Sequence, residues 1–518
     1  EKPRVLLSFY RSYLVAADLG PVEALVRAFE ARGYDVLALF VPSLKAPEAA
    51  GWLRRQVAGF GPDVIVNATA FSGKGEGGAS PLDVGGVPVF QVALATSTRE
   101  AWAGADRGLS PADLAMHVVL PEVDGRILGG VASFKEAGVR DPDLQFARVA
   151  HRADEGRVAA IVDRVDGWRR LAAAPVAERR VALVLSTYPG KDWNMGHAVG
   201  LDAPASARTI LDDLAGAGHD VAGLEGALED RLLARDMAWP LAAYRAALAR
   251  LPQRLQDDLA EAWGDPAQEA EGGAFRFAAL RCGKAVVALQ PERGAPEARD
   301  DDYHDVSRVP CHAYVAFYLW LREQADALVH IGAHGTLEWL PGKSVALSAD
   351  CWPEALTGDL PVIYPFIVND PGEAAQAKRR IGAVTLGHIP PPLKESGTPD
   401  RLARLEALLD EFSNADGLDP KRRDRLQADI RAEAQSLGVE DDLGLERASS
   451  TAEAITRIDR FVCDIKESQF GEGLHVWGRG GEAASGHDMA ASVVAERRAL
   501  LDALAGRRIE AGPSGSPY

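Results

Sequence analysis

Val5-Leu6-Leu7-Ser8-Phe9, a segment over 21–32 with apolar residues at helical spacing, Gly33 as its stop, and then Val36-Leu37-Ala38-Leu39-Phe40-Val41 form the stretch that decides the fold. A short apolar run followed by an amphipathic helix and a second apolar run predicts strand, helix, strand. Further apolar runs at 64–66 and 87–94 repeat the alternation. The fold class this implies is α/β and multidomain, with parallel doubly wound units plus helical segments.

Outward from there, a polar, Arg-rich helical segment over 154–170 leads to a new strand over 181–186, a glycine-bearing loop, a helix over 205–215 and Gly218 as its stop. Residues 225–272 read as helices, and 275–280 with 285–289 flank Arg281-Cys282-Gly283-Lys284 like a hairpin. An aromatic-rich helix over 313–322, a strand over 327–331 and another over 361–368 precede the helix that carries Lys378-Arg379-Arg380. Beyond Pro390-Pro391-Pro392 the chain is charged and helical, and it ends in a turn-rich tail. The expected division is a flavodoxin-like α/β domain over 1–150 and a second α/β unit with a helical insertion over 151–300. A catalytic histidine/glutamate segment over 301–395 and a mainly helical region over 396–518 that closes the core complete it. No internal repeat is visible.

With 518 residues, 47 % apolar and 25 % charged, the chain is an ordinary globular composition, long enough for several cores. No apolar run approaches the roughly 20 residues of a membrane span. The start, Glu1-Lys2-Pro3-Arg4, lacks the apolar core of a signal peptide, so a cytoplasmic protein is expected. Cys282, Cys311, Cys351 and Cys463 contain no C-x-x-C pair. That argues for buried thiols over disulfides or a thiolate zinc site. A net charge of −18 opposes binding to nucleic acid or anionic membranes, which leaves proteins and small molecules as partners.

Five of the eleven histidines, His304, His312, His330, His334 and His388, fall in one region. Two of them share His330-Ile331-Gly332-Ala333-His334-Gly335-Thr336-Leu337-Glu338-Trp339 with an acid. The strand before this motif delivers His330 at a carboxyl end, where open α/β sheets bind ligands, and the glycines permit a tight turn beside a bound molecule. Imidazoles with a carboxylate suit a divalent transition metal or proton transfer; strand-end histidines that merely bond backbone are the competing reading. The spacing is not H-E-x-x-H. Pro341-Gly342-Lys343-Ser344 imitates the end of a phosphate loop, but Leu337 stands where its first glycine belongs. Gly73-Lys74-Gly75-Glu76-Gly77-Gly78 fits G-x-G-x-x-G without a following helix, so neither motif supports a nucleotide site. Lys378-Arg379-Arg380 either offers cations to an acidic ligand or forms a solvated helix face. His197, in a glycine-punctuated loop, reads first as a loop residue and second as a cleft residue.

The chain resembles the cobaltochelatase and magnesium chelatase large-subunit family. The resemblance rests on the segment from His330 through Trp339-Leu340-Pro341-Gly342-Lys343, on Ile363-Tyr364-Pro365-Phe366-Ile367-Val368-Asn369-Asp370-Pro371-Gly372-Glu373, and on Ala377-Lys378-Arg379-Arg380. Gly108-Leu109-Ser110-Pro111, Leu120-Pro121-Glu122-Val123-Asp124-Gly125-Arg126 and Gly473-Leu474-His475-Val476 extend it over nearly the whole chain. The wording of the central motifs is similar to the cobalt branch. Ala333 and Cys311 depart from the pattern without touching the candidate ligands. Family members run longer at both ends, so the resemblance reads this chain as a central portion.

It implies ATP-dependent insertion of Co2+, as substrate metal, into hydrogenobyrinic acid a,c-diamide, with ATP and Mg2+ used by two AAA+-type partner subunits. Metal insertion needs ligands and bases together, so Glu338, His334 and His330 are expected as catalytic residues and His330, His334 and His312 as metal ligands; Lys378, Arg379, Arg380, His197 and Lys343 are expected at the acidic substrate. A magnesium chelatase subunit acting on protoporphyrin, and a non-catalytic tetrapyrrole or metal carrier, are the alternatives.

Overall fold

The computed structural model describes the chain apart from residues 1, 76, 187–196, 199–200, 223–225, 295–305, 333–334, 368–370, 389–399, 416–419, 438–453, 456, 459–461, 463–474, 480–486 and 510–518. The first sheet joins β1 (Arg4–Tyr10), β2 (Asp35–Val41), β3 (Val64–Asn67), β4 (Val89–Leu94), β5 (Ile127–Asp141) and β6 (Phe146–Ala153) in the order β2-β1-β3-β4-β5-β6. All neighbours are parallel except β5 and β6. The strands are apolar runs because both faces are covered. The helix Gly20–Ala31 buries Val22, Leu25 and Phe29 on one face, and the helix Pro47–Phe60 buries Leu53 and Val57 on the other.

Further along the chain come β7 (Val181–Leu185), β8 (His197–Ala198), β9 (Leu201–Asp202), β10 (Met237–Pro240), β11 (Ala274–Phe277), β12 (Ala279–Cys282), β13 (Ala285–Leu289), β14 (Ala327–Ile331), β15 (Val362–Ile367) and β16 (Val384–His388). The second large sheet has the order β12-β13-β7-β14-β15-β16, antiparallel only at β12. The expected hairpin forms between β12 and β13, but Phe275 and Phe277 belong to β11, which pairs with β10 instead.

The parallel strands of each sheet follow one winding rule. Numbered within their own sheet, β13-β7-β14-β15-β16 reads 2-1-3-4-5, as β2-β1-β3-β4-β5 does. Each sheet therefore reverses direction between its first and third strands, the place where a crevice opens beyond the carboxyl ends.

The segment boundaries expected from sequence run across these units. β6 continues past residue 150, and the helix Glu155–Ala173 packs on β5 and on the helix Gly20–Ala31, so it closes the first unit. The second sheet takes β7 and β13 from one side of residue 300 and β14, β15 and β16 from the other, because parallel strands need long crossovers that draw in distant sequence. In the final region, the helices Asp400–Ala415 and Pro420–Ser436 pack around Leu405, Leu409, Ile430 and Ala434, while the helix His487–Leu504 returns to the second sheet. Among the described residues no helix is long and apolar enough to cross a membrane.

Candidate functional site

β7 and β14 flank the switch point of the second sheet, and His330 stands near the carboxyl end of β14, paired with Val184 of β7. Its ring is fully buried and stacks on Tyr364 of β15, with centroids 4.7 Å apart and planes 16° from parallel. Nε2 lies 3.4 Å from Oε1 of Gln290. Gln290 is oriented by two further bonds: its amide nitrogen donates to Thr336 Oγ1 at 2.8 Å, and its Oε1 accepts from the Tyr318 hydroxyl at 2.8 Å. An amide held that way presents an oxygen to His330, so Nε2 carries the ring proton and Nδ1 carries the lone pair. Nδ1 has no hydrogen-bond partner among the described residues. Burial with no charged partner pushes the His330 pKa down to about 3, which leaves a neutral imidazole with a bare donor nitrogen.

Glu338 sits in a single turn of 3-10 helix, Leu337–Trp339, and is also fully buried. Oε1 accepts from the Gly335 backbone N–H at 3.0 Å and from the Tyr364 hydroxyl at 3.3 Å, whereas Oε2 has no partner among the described residues. Desolvation raises its pKa, outweighing those bonds and the nearby Arg380 charge, so this carboxylate is an unusually willing proton acceptor.

Gly335 lies against both groups. A β-carbon there would lie 2.5 Å from His330 Nε2 and 3.2 Å from Glu338 Oε2, so no side chain fits between them. Gly332, at φ 152°, lets the chain turn out of β14 in a conformation other residues avoid. Tyr314 completes the wall, its hydroxyl 2.8 Å from Thr336 Oγ1.

The other residues singled out from sequence stand as follows. His334, and the side chain of His197, lie outside the described residues. His312 is not available to a metal: Nδ1 is 2.7 Å from the Tyr244 hydroxyl and Nε2 is 3.0 Å from the Gly264 carbonyl, so the protein occupies both nitrogens. Lys343 is turned away from the site. Its amine donates to the carbonyls of Ala103 and Ala105 at 2.9 and 2.8 Å and lies 5.3 Å from the Trp102 ring centroid, which ties the loop to the first unit.

Arg379 forms a two-pronged pair with Glu122, both contacts 2.9 Å. Arg380 is buried and donates to the carbonyls of Glu338, Leu340 and Lys343 at 2.5, 2.7 and 3.1 Å, holding the loop that carries the carboxylate. Both therefore act within the protein, because guanidinium forks close to carbonyls and a carboxylate find partners on folding. Lys378 has its pKa lowered by burial and has neither hydrogen bond nor ion pair among the described residues.

Three residues that local sequence did not single out complete this wall. Gln290, Tyr318 and Tyr364 come from a strand end, a helix and a neighbouring strand. Only the placement of a glutamine directly after the apolar β13 signalled any of them. Two sheet positions further on, His388 at the end of β16 meets His475 and Glu496, with contacts of 2.8 and 3.0 Å. Among the described residues, no group of three or more His, Cys, Asp or Glu has an arrangement that would hold a metal ion by itself.

Comparison with known proteins places this geometry in context. The family profile described as CobN/Magnesium Chelatase matches residues 1–495. The aerobic cobaltochelatase subunit CobN of Sinorhizobium sp is 41 % identical over 502 residues, covering 92 % of this chain and 39 % of the relative. A magnesium-chelatase subunit of Rhodobacter capsulatus is 28 % identical, over 96 % of this chain and 42 % of its own length. Among solved structures, the catalytic subunit of cobaltochelatase from Mycobacterium tuberculosis superposes with a TM-score of 0.69 at 34 % identity, over 99 % of this chain and 45 % of the other. The chain thus spans about two fifths of the curated relatives' length. A profile match from the first residue to 495, together with 41 % identity to a cobaltochelatase subunit over 92 % of the chain, establishes that this chain belongs to the CobN/magnesium chelatase family.

Proposed function

We propose that the chain is the metal-inserting core of the large subunit of an ATP-dependent cobaltochelatase, acting in the cytoplasm on hydrogenobyrinic acid a,c-diamide. Two AAA+-type partner subunits consume ATP and Mg2+ on its behalf. The observation that carries the chemistry is that two buried atoms of one loop region, His330 Nδ1 and Glu338 Oε2, have no hydrogen-bond partner among the described residues. The preference for cobalt rests on the greater identity to the cobalt-branch relative, 41 % against 28 % for the magnesium-branch one.

Placing a divalent ion in a tetrapyrrole requires water to leave the ion and protons to leave ring nitrogens, so a metal-handling nitrogen and a base must act together. His330 Nδ1 offers the nitrogen, with His334 as a second candidate. The site need not enclose the ion, because the ring supplies its final ligands. Glu338 accepts a ring proton through Oε2, and its raised pKa strengthens it as a base when ionised. Arg380 and Tyr364 position that carboxylate. The substrate is a polycarboxylate, and Lys378 is the cation of the 378–380 run left to receive it. A local charge acts over a Debye length of about 8–10 Å against the overall negative field.

In the reconstituted three-subunit enzyme, Glu338→Gln should keep corrinoid affinity within about twofold and lower cobalt insertion at least about 100-fold. Turnover equal to the parent would sink the role of Glu338. Supplying protoporphyrin and Mg2+ in parallel tests the metal branch, and product formed without ATP or partners would favour a carrier instead.

A further inference from the structure

A third buried polar atom at the same sheet edge lacks a partner. Ser186 follows β7 at its carboxyl end and is 1 % exposed, and its Oγ has no hydrogen-bond partner among the described residues. The backbone keeps the ladder here: the Ser186 N–H donates to the Ile331 carbonyl at 3.2 Å, and the Gln290 N–H donates to the Leu185 carbonyl at 2.9 Å. β7 sends Val181, Leu183 and Leu185 into one apolar cluster and Ala182 and Val184 into the other, so Ser186 continues the alternation onto the face of Val184. His330 is the partner of Val184 on β14, and Tyr364 belongs to the same cluster as Val184. Ser186 therefore stands on the His330 face, nearer the crevice of the switch point, where the next residue along β14 is Gly332 and has no side chain.

A buried hydroxyl without a partner costs stability, and alanine in its place would remove that cost. Thr357, which precedes β15 at the opposite edge of the sheet, also has an unpartnered hydroxyl, so this property alone does not mark a site. What sets Ser186 apart is that the three unpartnered atoms at this edge complement one another. An ionised Glu338 offers only lone pairs at Oε2, and His330 Nδ1 carries a lone pair because Nε2 holds the ring proton. The Ser186 hydroxyl adds a proton to donate. A metal-free tetrapyrrole presents the matching set at its centre: N–H groups that donate and bare nitrogens that accept. Once a metal is bound, the N–H protons are gone and the nitrogen lone pairs point at the ion.

We infer that Ser186 is a specificity-determining residue whose hydroxyl donates to an unprotonated ring nitrogen, so that with His330 and Glu338 it selects the metal-free tetrapyrrole over the metallated product; this rests on the chelatase reading above. Filling the ring removes all three contacts together, which weakens the hold on the product and lets it leave. Ser186 itself exchanges no proton in this scheme.

Equilibrium binding to the purified chain, followed by absorbance, tests the selection with hydrogenobyrinic acid a,c-diamide and with its cobalt complex. The parent should bind the metal-free compound at least about tenfold more tightly. Equal affinities would overturn the inference while the chelatase reading stands, and binding of neither compound would overturn both. Ser186→Ala should weaken binding of the metal-free compound about three- to tenfold, the range of one hydrogen bond, and leave the affinity for the cobalt complex unchanged. Ser186→Thr, which keeps a hydroxyl, should hold the parent's ratio. An Ala variant that loses affinity for both compounds alike, or for neither, would overturn the inference. Urea denaturation gives an independent readout: Ser186→Ala should unfold at the same urea concentration as the parent or a higher one, as Thr357→Val should, and only the Ser186 variant should lose the preference for the metal-free ring. An earlier midpoint in Ser186→Ala would show that the protein itself bonds this hydroxyl, and would overturn the inference.

Discussion

At the scale of single residues, the site consists of two groups whose charged forms burial disfavours. His330 is a base with a lowered folded pKa, about 3 against 6.5 when exposed. Its contribution to stability is therefore complete above pH 6.5 and is lost as pH falls toward 3, because the unfolded chain takes up a proton the folded one refuses. Over that window the term has a slope of about 1.4 kcal/mol per pH unit. Chemical denaturation of His330→Gln should show a shallower loss of stability between pH 6 and 4 than the parent. Glu338 behaves oppositely: its raised pKa contributes stability below the ordinary carboxylate range and loses it as pH rises through the folded value. Glu338→Gln should accordingly be more stable than the parent at pH 7, with the gap closing in acid. A Gln variant less stable at pH 7 would mean that the bonds from Gly335 and Tyr364, not desolvation, set the state of the carboxylate.

At the scale of elements, the loop after β14 is held less by its own sequence than by Arg380 on the helix Pro371–Ile381. Three loop carbonyls accept from this one guanidinium, and removing it strands them in a buried setting. Arg380→Ala should destabilise the chain by about 3 kcal/mol or more in urea titrations, and Arg380→Lys should recover little, since an ammonium cannot reach three carbonyls in one plane.

The same loop shows what was legible. The strand over 327–331 and the placement of His330 at its end follow from apolar run and topology, and both stand. The grouping with Glu338 was read from adjacency in the motif, and Gly335 lies against both side chains. The other histidines show the limit of adjacency: His312 lies close in sequence, but it begins a helix whose start faces Tyr244 and Gly264. Consecutive residues of a helix point about 100° apart, so Lys378, Arg379 and Arg380 were bound to meet different surroundings. Gln290, Tyr318 and His475 reach their places through crossovers, and no local pattern encodes a crossover's destination.

At the scale of the whole molecule, two sheets wound in the same 2-1-3-4-5 order are interlocked by the segment that leaves the site. No internal repeat was visible in the sequence because the shared feature is connectivity, which needs only alternating apolar strands and helices, not shared residues. Val345 and Ala346 enter the apolar cluster of Trp102, Leu109 and Phe134, and the Trp102 indole N–H donates to the Ala346 carbonyl at 2.8 Å. Arg157 donates to the Leu347 carbonyl at 2.9 Å from the helix that closes the first unit. The carboxylate at Glu338 is thus only a few residues from a seam between the units, and the seam has no slack. At Gly108, with φ 79°, a β-carbon would stand 2.0 Å from the Val345 carbonyl oxygen, nearer than any relaxation of a side chain can relieve. Gly33 provides the matched control, since it has a similar φ of 84° and open space where the β-carbon would go. Gly33→Ala should cost only the left-handed strain of an L-residue, about 1–2 kcal/mol. Gly108→Ala carries that strain plus the clash, and should exceed the control by at least about 1–3 kcal/mol while also lowering cobalt insertion, because the displaced 343–346 segment pulls on carbonyls that Arg380 holds beside Glu338. Denaturation and insertion assays on the two variants decide it: equal losses in both would show that the seam tolerates an opening and that the site does not depend on how the two units are joined.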